Sequence, residues 1–197
     1  LLVFTFLFGY VGEGWGQVAT RYGFNITSGT YTEITGGTVI AINSDDAAVN
    51  ITGFPTFNLN GIAYTSARMC SNGWLILYTG TAPNPTSLYT PLSTAVSGTN
   101  ITIIAPFGRD LNGATSGVAR CQVVGNEIVF QWKGFSNYAY TNNLNFQVKK
   151  SRITDQTGTL HQQQVIINLN ACFQSTNFAG MQPVHLRLQI HKLHGLT

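Results

Sequence analysis

Short runs of alternating apolar and polar residues, broken by Gly- and Asn-rich turns, recur along this chain and limit what it can become. Runs 54–59 and 62–69 meet at Asn60-Gly61, the dipeptide that most favours a two-residue hairpin turn. Run 74–78 follows Asn72-Gly73, and runs 118–124 and 127–133 flank Gly125-Asn126. Earlier runs, 22–26 and 30–34, flank Ser28-Gly29, and 38–42 follows Gly36-Gly37. Runs 100–106 and 143–149 complete the series. Strands at this spacing predict an all-β antiparallel sandwich, with a jelly-roll or lectin-like topology. In 127–133, Ile128, Phe130 and Trp132 fall on one face and Val129, Gln131 and Lys133 on the other, which predicts a half-buried strand. No long segment carries apolar residues at helical spacing.

Charge usage agrees. Only 9% of the 197 residues are charged, against roughly 25% in an average domain. Gly, Thr, Ser and Asn supply the polarity, as on an extracellular β-domain rather than a helical cytosolic one. The net charge of +3 is concentrated late: Lys149, Lys150, Arg152, Arg187 and Lys192 are half of the ten cations, and no Asp or Glu follows Asp155. The basic character belongs to the tail and is not interleaved with aromatics in the body, which argues against a nucleic-acid partner. Cys70, Cys121 and Cys172 are odd in number, so one is left over from any pairing. A Cys70–Cys121 bridge and buried free thiols both stay open. There is no C-x-x-C pair to indicate zinc.

Three regions are expected. Residues 1–17 read as a signal peptide. The apolar run from Leu1 to Gly9 is far short of the roughly 20 residues of a membrane span and matches an h-region, although the basic n-region and the initiator Met are missing. The rival reading is a buried N-terminal strand. Export makes the protein extracellular or bound to the outer cell surface, with no integral membrane span once the leader is removed. Residues 18–148 are the sandwich, with a long Pro-, Thr- and Ser-rich loop over 79–98 as a candidate for function. Residues 149–197 form a divergent basic tail carrying His161, His185, His191 and His194. The tail reads either as extra strands near 165–169 and 184–190 or as aberrant sequence from a fragment boundary or frame error. In the second case the sandwich is incomplete at its C-terminal end and exposes an edge.

Motifs in order along the chain carry a resemblance. Tyr31-Thr-Glu-Ile-Thr-Gly-Gly-Thr-Val-Ile40 is followed by Ser44-Asp45-Asp46, Phe57-Asn-Leu-Asn-Gly-Ile-Ala-Tyr-Thr65 and Ser71-Asn-Gly-Trp74. Then come Ile104-Ala-Pro-Phe-Gly-Arg-Asp-Leu111, Ile128-Val-Phe-Gln-Trp-Lys133 and Asn143-Leu-Asn-Phe-Gln-Val148. Over residues 10–148 the series resembles the N-terminal β-sandwich of large secreted surface proteins of Bacteroidota, whose leaders often end as Trp15-Gly16-Gln17 does. The resemblance implies export through a signal peptide and the type IX system, and a surface binding or adhesion role. The Asn-Gly-aromatic and Ala-Pro-Phe patterns are also distantly similar to nidogen-type adhesion domains. The similarity stops at the Lys149-Lys-Ser-Arg152 segment.

The chemistry available is narrow. No histidine occurs in 18–148, which removes Ser-His-Asp, Cys-His and His-based metal sites from the sandwich; the chain is expected not to be an enzyme. Carboxylates remain at Glu33, Asp45, Asp46, Asp110 and Glu127, so a carbohydrate-active hydrolase stays as a rival. Asp45-Asp46 beside Asn43 and Ser44 could bind calcium through hard oxygens or simply form a turn. No other cofactor is indicated. Asp110 reads either as a ligand-binding group or as a turn residue paired with Arg109 or backbone N–H groups. Aromatics are the better clue, because sugars dock flat apolar faces on rings while amides and carboxylates take their hydroxyls. Tyr138, Tyr140 and Asn143 share such a segment, and Tyr78 and Tyr89 bracket the long loop. Trp74 and Trp132, inside apolar strands, read as core. The tripeptides Asn25-Ile-Thr27, Asn50-Ile-Thr52 and Asn100-Ile-Thr102 match the N-glycosylation acceptor pattern, although the bacterial resemblance implies Thr-rich strand sequence instead. The expected function is a secreted or cell-surface binding and adhesion module, taking a surface glycan or a protein partner. A purely structural N-terminal domain of a larger adhesin is the alternative.

Overall fold

The computed structural model describes residues 22–28, 31–59, 62–85, 100–113, 116–138, 143–151, 164–172 and 184–192; for 22–28, 57, 151, 164–172 and 184–192 only the backbone is described. Among these residues every regular element is a strand: β1 (Tyr22–Ser28), β2 (Thr38–Ile40), β3 (Ala48–Leu59), β4 (Ile62–Cys70), β5 (Trp74–Tyr78), β6 (Ile101–Ile104), β7 (Leu111–Asn112), β8 (Val118–Val124), β9 (Glu127–Asn137), β10 (Asn143–Ser151), β11 (Gln164–Cys172) and β12 (Val184–Lys192). They form two antiparallel sheets that do not close into a barrel. One sheet runs β3-β4-β5-β6; the other runs β1-β12-β11-β10-β9-β8-β2, with β7 pairing β9 beside this path. The chain is an all-β sandwich, and most neighbouring strands are also neighbours in sequence, which is how short turns build sheets.

The core lies between the sheets. Tyr64, Ala67, Met69, Leu75 and Leu77 from the smaller sheet meet Ala119, Ile128, Phe130, Trp132, Leu144, Phe146 and Val148 from the larger. Phe54 meets Phe130 edge-on across the gap, at 6.0 Å between ring centres. Trp74 and Trp132 are both fully buried.

Run 30–34 was expected to be a strand, but its described part is not one. Residues 31–35 join no sheet; they form a strap over the outer face of the larger sheet. The Gln131 amide takes the place of a strand partner there: its Oε1 accepts from Ile34 N–H at 2.9 Å and its Nε2 donates to Ile34 C=O at 3.0 Å. Gln147 Nε2 donates to Thr32 C=O at 2.8 Å and to Gln131 Oε1 at 2.6 Å. The strap corrects the expectation of a half-buried β9. Val129 and Gln131, on the outer side, are 1% and 0% exposed.

The sheet runs on past Val148. β11 pairs with β10, and β12 pairs with both β11 and β1. The rows of the register keep their character across this boundary. One row reads Ile26, Leu188, Ile167, Val148, Phe130, Cys121; the next reads Thr27, Arg187, Asn168, Gln147, Gln131, Arg120. An alternation in phase with the pleat over six strands is what a sheet with one core face requires. The described part of 149–197 therefore consists of strands β11 and β12 together with the end of β10.

Candidate functional site

One end of the sandwich gathers the sequence motifs. The turn Ser71-Asn72-Gly73 joins β4 to β5 and is completely buried at Ser71 and Asn72. Gly73 has φ of +73°, and an added Cβ would meet Phe107 Cβ at 2.9 Å, so only glycine fits the turn and the close approach. Two loops are hung on this turn. Ser71 N–H donates to Ala47 C=O at 2.8 Å, and Ala47 N–H donates to Ser71 Oγ at 3.0 Å, fixing loop 43–47. Phe107 and Gly108 N–H both donate to Gly73 C=O at 3.3 Å, and Arg109 N–H donates to Asn72 C=O at 3.2 Å, fixing loop 105–110. The Asn72 side chain holds both loops: Nδ2 donates to Asp46 Oδ1 at 2.7 Å, and Oδ1 accepts from Leu111 N–H at 2.8 Å.

The floor beneath is aromatic. Phe107 stacks on Phe146 at 5.3 Å, and Phe146 stacks on Trp132 at 4.9 Å. Trp132 Nε1–H donates to Cys70 C=O at 2.7 Å, tying this stack to the turn.

On this base Asp45, Asp46 and Asp110 converge: one oxygen from each lies within 4.8 Å of the others, and all three residues are exposed. Asp46 holds a left-handed φ of +50°, a conformation that Asp tolerates better than most residues. Desolvation first, and then the charges of Asp45 and Asp46, push the Asp110 carboxyl above its usual value. An ion pair joins Lys133 to Glu33, and none joins Asp110 to Arg109. Clustered carboxylates of this kind can take hydroxyl donors or share a hard cation.

Tyr138 borders this rim. Its N–H donates to Asp110 C=O at 3.0 Å, and the residue is 63% exposed. Asn143 is exposed at the start of β10, across the connection from Tyr138. Tyr78 corrects the expectation: it is 3% exposed within β5 and closed to a ligand, because β5 is buried along its whole length. Tyr89 and Tyr140 lie outside the described residues, as do residues 1–17. The Cys70 and Cys121 thiols are both buried and no disulfide joins them; they belong to separate apolar clusters, Cys121 to the core between the sheets and Cys70 to the outer side of the smaller sheet. Burial pushes them up to about 11 and about 12, respectively. Sequence reasoning treated Asp45-Asp46 and Asp110 separately and passed over Asn72, which joins them; the one signal for Asn72 was its place in an Asn-Gly turn.

A family model described as NIDO related matches residues 21–164, well over half of the chain. The chain belongs to the NIDO-related family. No curated protein and no solved structure matches it. NIDO-related domains are typically extracellular. No helix among the described residues is long and apolar enough to cross a membrane.

Proposed function

We propose that this NIDO-related domain is a non-catalytic binding module of a secreted or cell-surface protein, with glycan as its ligand class and the rim of Asp45, Asp46, Asp110 and Tyr138 as its site. One observation carries the reading: the Tyr138–Asp110 backbone bond brings a largely exposed aromatic residue beside three converging carboxylates. A pyranose offers an apolar face to a ring and hydroxyls to charged oxygens, and the two chemistries meet here. The turn, the two loops and the aromatic floor hold the carboxylates in place before any ligand arrives, which lowers the ordering cost of binding.

The test is a glycan-array screen of the full chain beside Tyr138→Ala and Asp110→Asn, with circular dichroism to establish folding. The expected outcome is binding that falls at least about tenfold in each folded variant, the loss of roughly 1.4 kcal/mol. A folded chain that binds no glycan would refute the reading in favour of a structural or protein-adhesion role. The convergence of the three carboxylates favours a second mode, in which calcium bridges protein and sugar. Binding abolished by a chelator and restored by calcium would select it.

A further inference from the structure

The three Asn-Ile-Thr tripeptides play no part in the rim, yet the topology gives them a shared location. Two sheets have four edges: β1 and β2 bound the larger, β3 and β6 the smaller. Asn25 lies on β1, opposite Gln189 of β12. Asn50 lies on β3, and Asn100 immediately precedes β6. Each acceptor tripeptide thus marks a different edge, and the one edge without a tripeptide, β2, is three residues long. An open edge offers unpaired N–H and C=O groups that recruit a further strand, and proteins blunt such edges with bulk, charge or brevity.

Local geometry suits attachment at the two described asparagines. Asn50 and Asn100 are both exposed, whereas Ile51 between Asn50 and Thr52 is buried. Asn50 Oδ1 accepts from Arg68 Nη1 at 3.0 Å, which leaves Nδ2, the atom that takes a sugar, outside that contact. Asn100 has φ of +56°, so it stands at a bend rather than within the ladder.

We propose that Asn50 and Asn100 are N-glycan acceptors and that their glycans guard the β3 and β6 edges, with Asn25 in the equivalent position on β1. This departs from what the bacterial resemblance implies for these tripeptides, and it does not depend on the rim binding a ligand. The donor is a lipid-diphosphate-linked oligosaccharide of the secretory route. The Nδ2–C1 bond forms, the bond between C1 and the diphosphate oxygen breaks, the lipid diphosphate departs, and Nδ2 loses one proton; nothing is oxidised or reduced. Transfer precedes folding at Asn100, because the Thr102 hydroxyl is bonded to Tyr64 Oη at 2.8 Å in the folded protein and the acceptor pattern requires that hydroxyl.

The test is the intact mass of the full chain, purified from the cells that secrete it, before and after peptide-N-glycosidase in heavy-oxygen water. The expected result is a mass drop on treatment, with heavy-oxygen Asp appearing at positions 50 and 100. Asn50→Gln and Asn100→Gln should each remove one glycan, and Thr52→Ala should remove the same glycan as Asn50→Gln while keeping the asparagine. Deglycosylated chain should self-associate in sedimentation at concentrations where the glycosylated chain is monomeric. A bare polypeptide mass, or unmodified Asn at both positions, overturns the assignment; equal sedimentation before and after treatment overturns the guarding role.

Discussion

The two sheets cover their outer faces by opposite means. On the larger sheet polar residues lead the covered outer side, beside Val129: Gln131 and Gln147 are both completely buried, and each amide is bonded to the strap 31–35. On the smaller sheet they are apolar: Cys70, Trp74 and Ile76 are completely buried, beside Ala48, Ile101 and Ile103. Apolar burial is non-directional and scales with area, so the smaller sheet tolerates small adjustments in shape. A buried amide must instead meet its partners at hydrogen-bond geometry or leave several groups unsatisfied at once. The larger sheet should therefore be the more brittle per atom altered, and the smaller one the more costly per atom removed.

The largest expected effect is Trp74→Ala, which empties the apolar outer cluster and should cost about 3–5 kcal/mol, read as a lowered urea midpoint. Gln131→Leu keeps volume but leaves the Ile34 N–H and C=O without their partners, and should cost about 3 kcal/mol. A loss under about 1 kcal/mol would break the contrast. Ile76→Val removes one methyl group from the tolerant face and should cost about 1 kcal/mol, well below the loss from Gln131→Leu.

Titration sharpens the comparison at β10, where Gln147 is on the outer side and Lys150 on the core side, 2% exposed. Burial lowers the Lys150 ammonium to about 8. Between pH 8 and its ordinary value near 10.5 the unfolded chain binds more protons, so stability rises with pH. Cys70 and Cys121 act oppositely. Their thiols ionise near 9 when unfolded but stay protonated when folded, so above pH 9 they reduce stability. From pH 8 to 9 the Lys150 gain of about 1 kcal/mol is largely offset by the two thiols, so stability should rise by only roughly a few tenths of a kcal/mol and fall beyond. Lys150→Met should flatten the rise and leave the fall, as followed by thermal melts across pH 7–10.

The smallest effect belongs to Lys133→Met. The Lys133–Glu33 pair that pins the strap is close, at 2.6 Å, but both side chains are well exposed, so its loss should change stability by no more than about 0.5 kcal/mol. A loss comparable to that of Gln131→Leu would mean that charge, and not the amide clamp, holds the strap.

Sequence alone determined most of the strands, most of the turns between them and the all-β sandwich, because period-two alternation and turn chemistry act between near neighbours in the chain. It also determined that Trp74 and Trp132 are core and that the sandwich carries no histidine. Tertiary structure decided what depends on distant residues meeting. It turned 31–35 from a strand into a strap, because the amides of Gln131 and Gln147 lie about a hundred positions away and offer a better match than another strand. It buried Tyr78 and joined β12 to β1 across most of the chain's length. It also brought Asp45 and Asp46 to Asp110 through Asn72. Neither alternation nor composition encodes that meeting, since it rests on one buried carboxamide having the right donor and acceptor on either side.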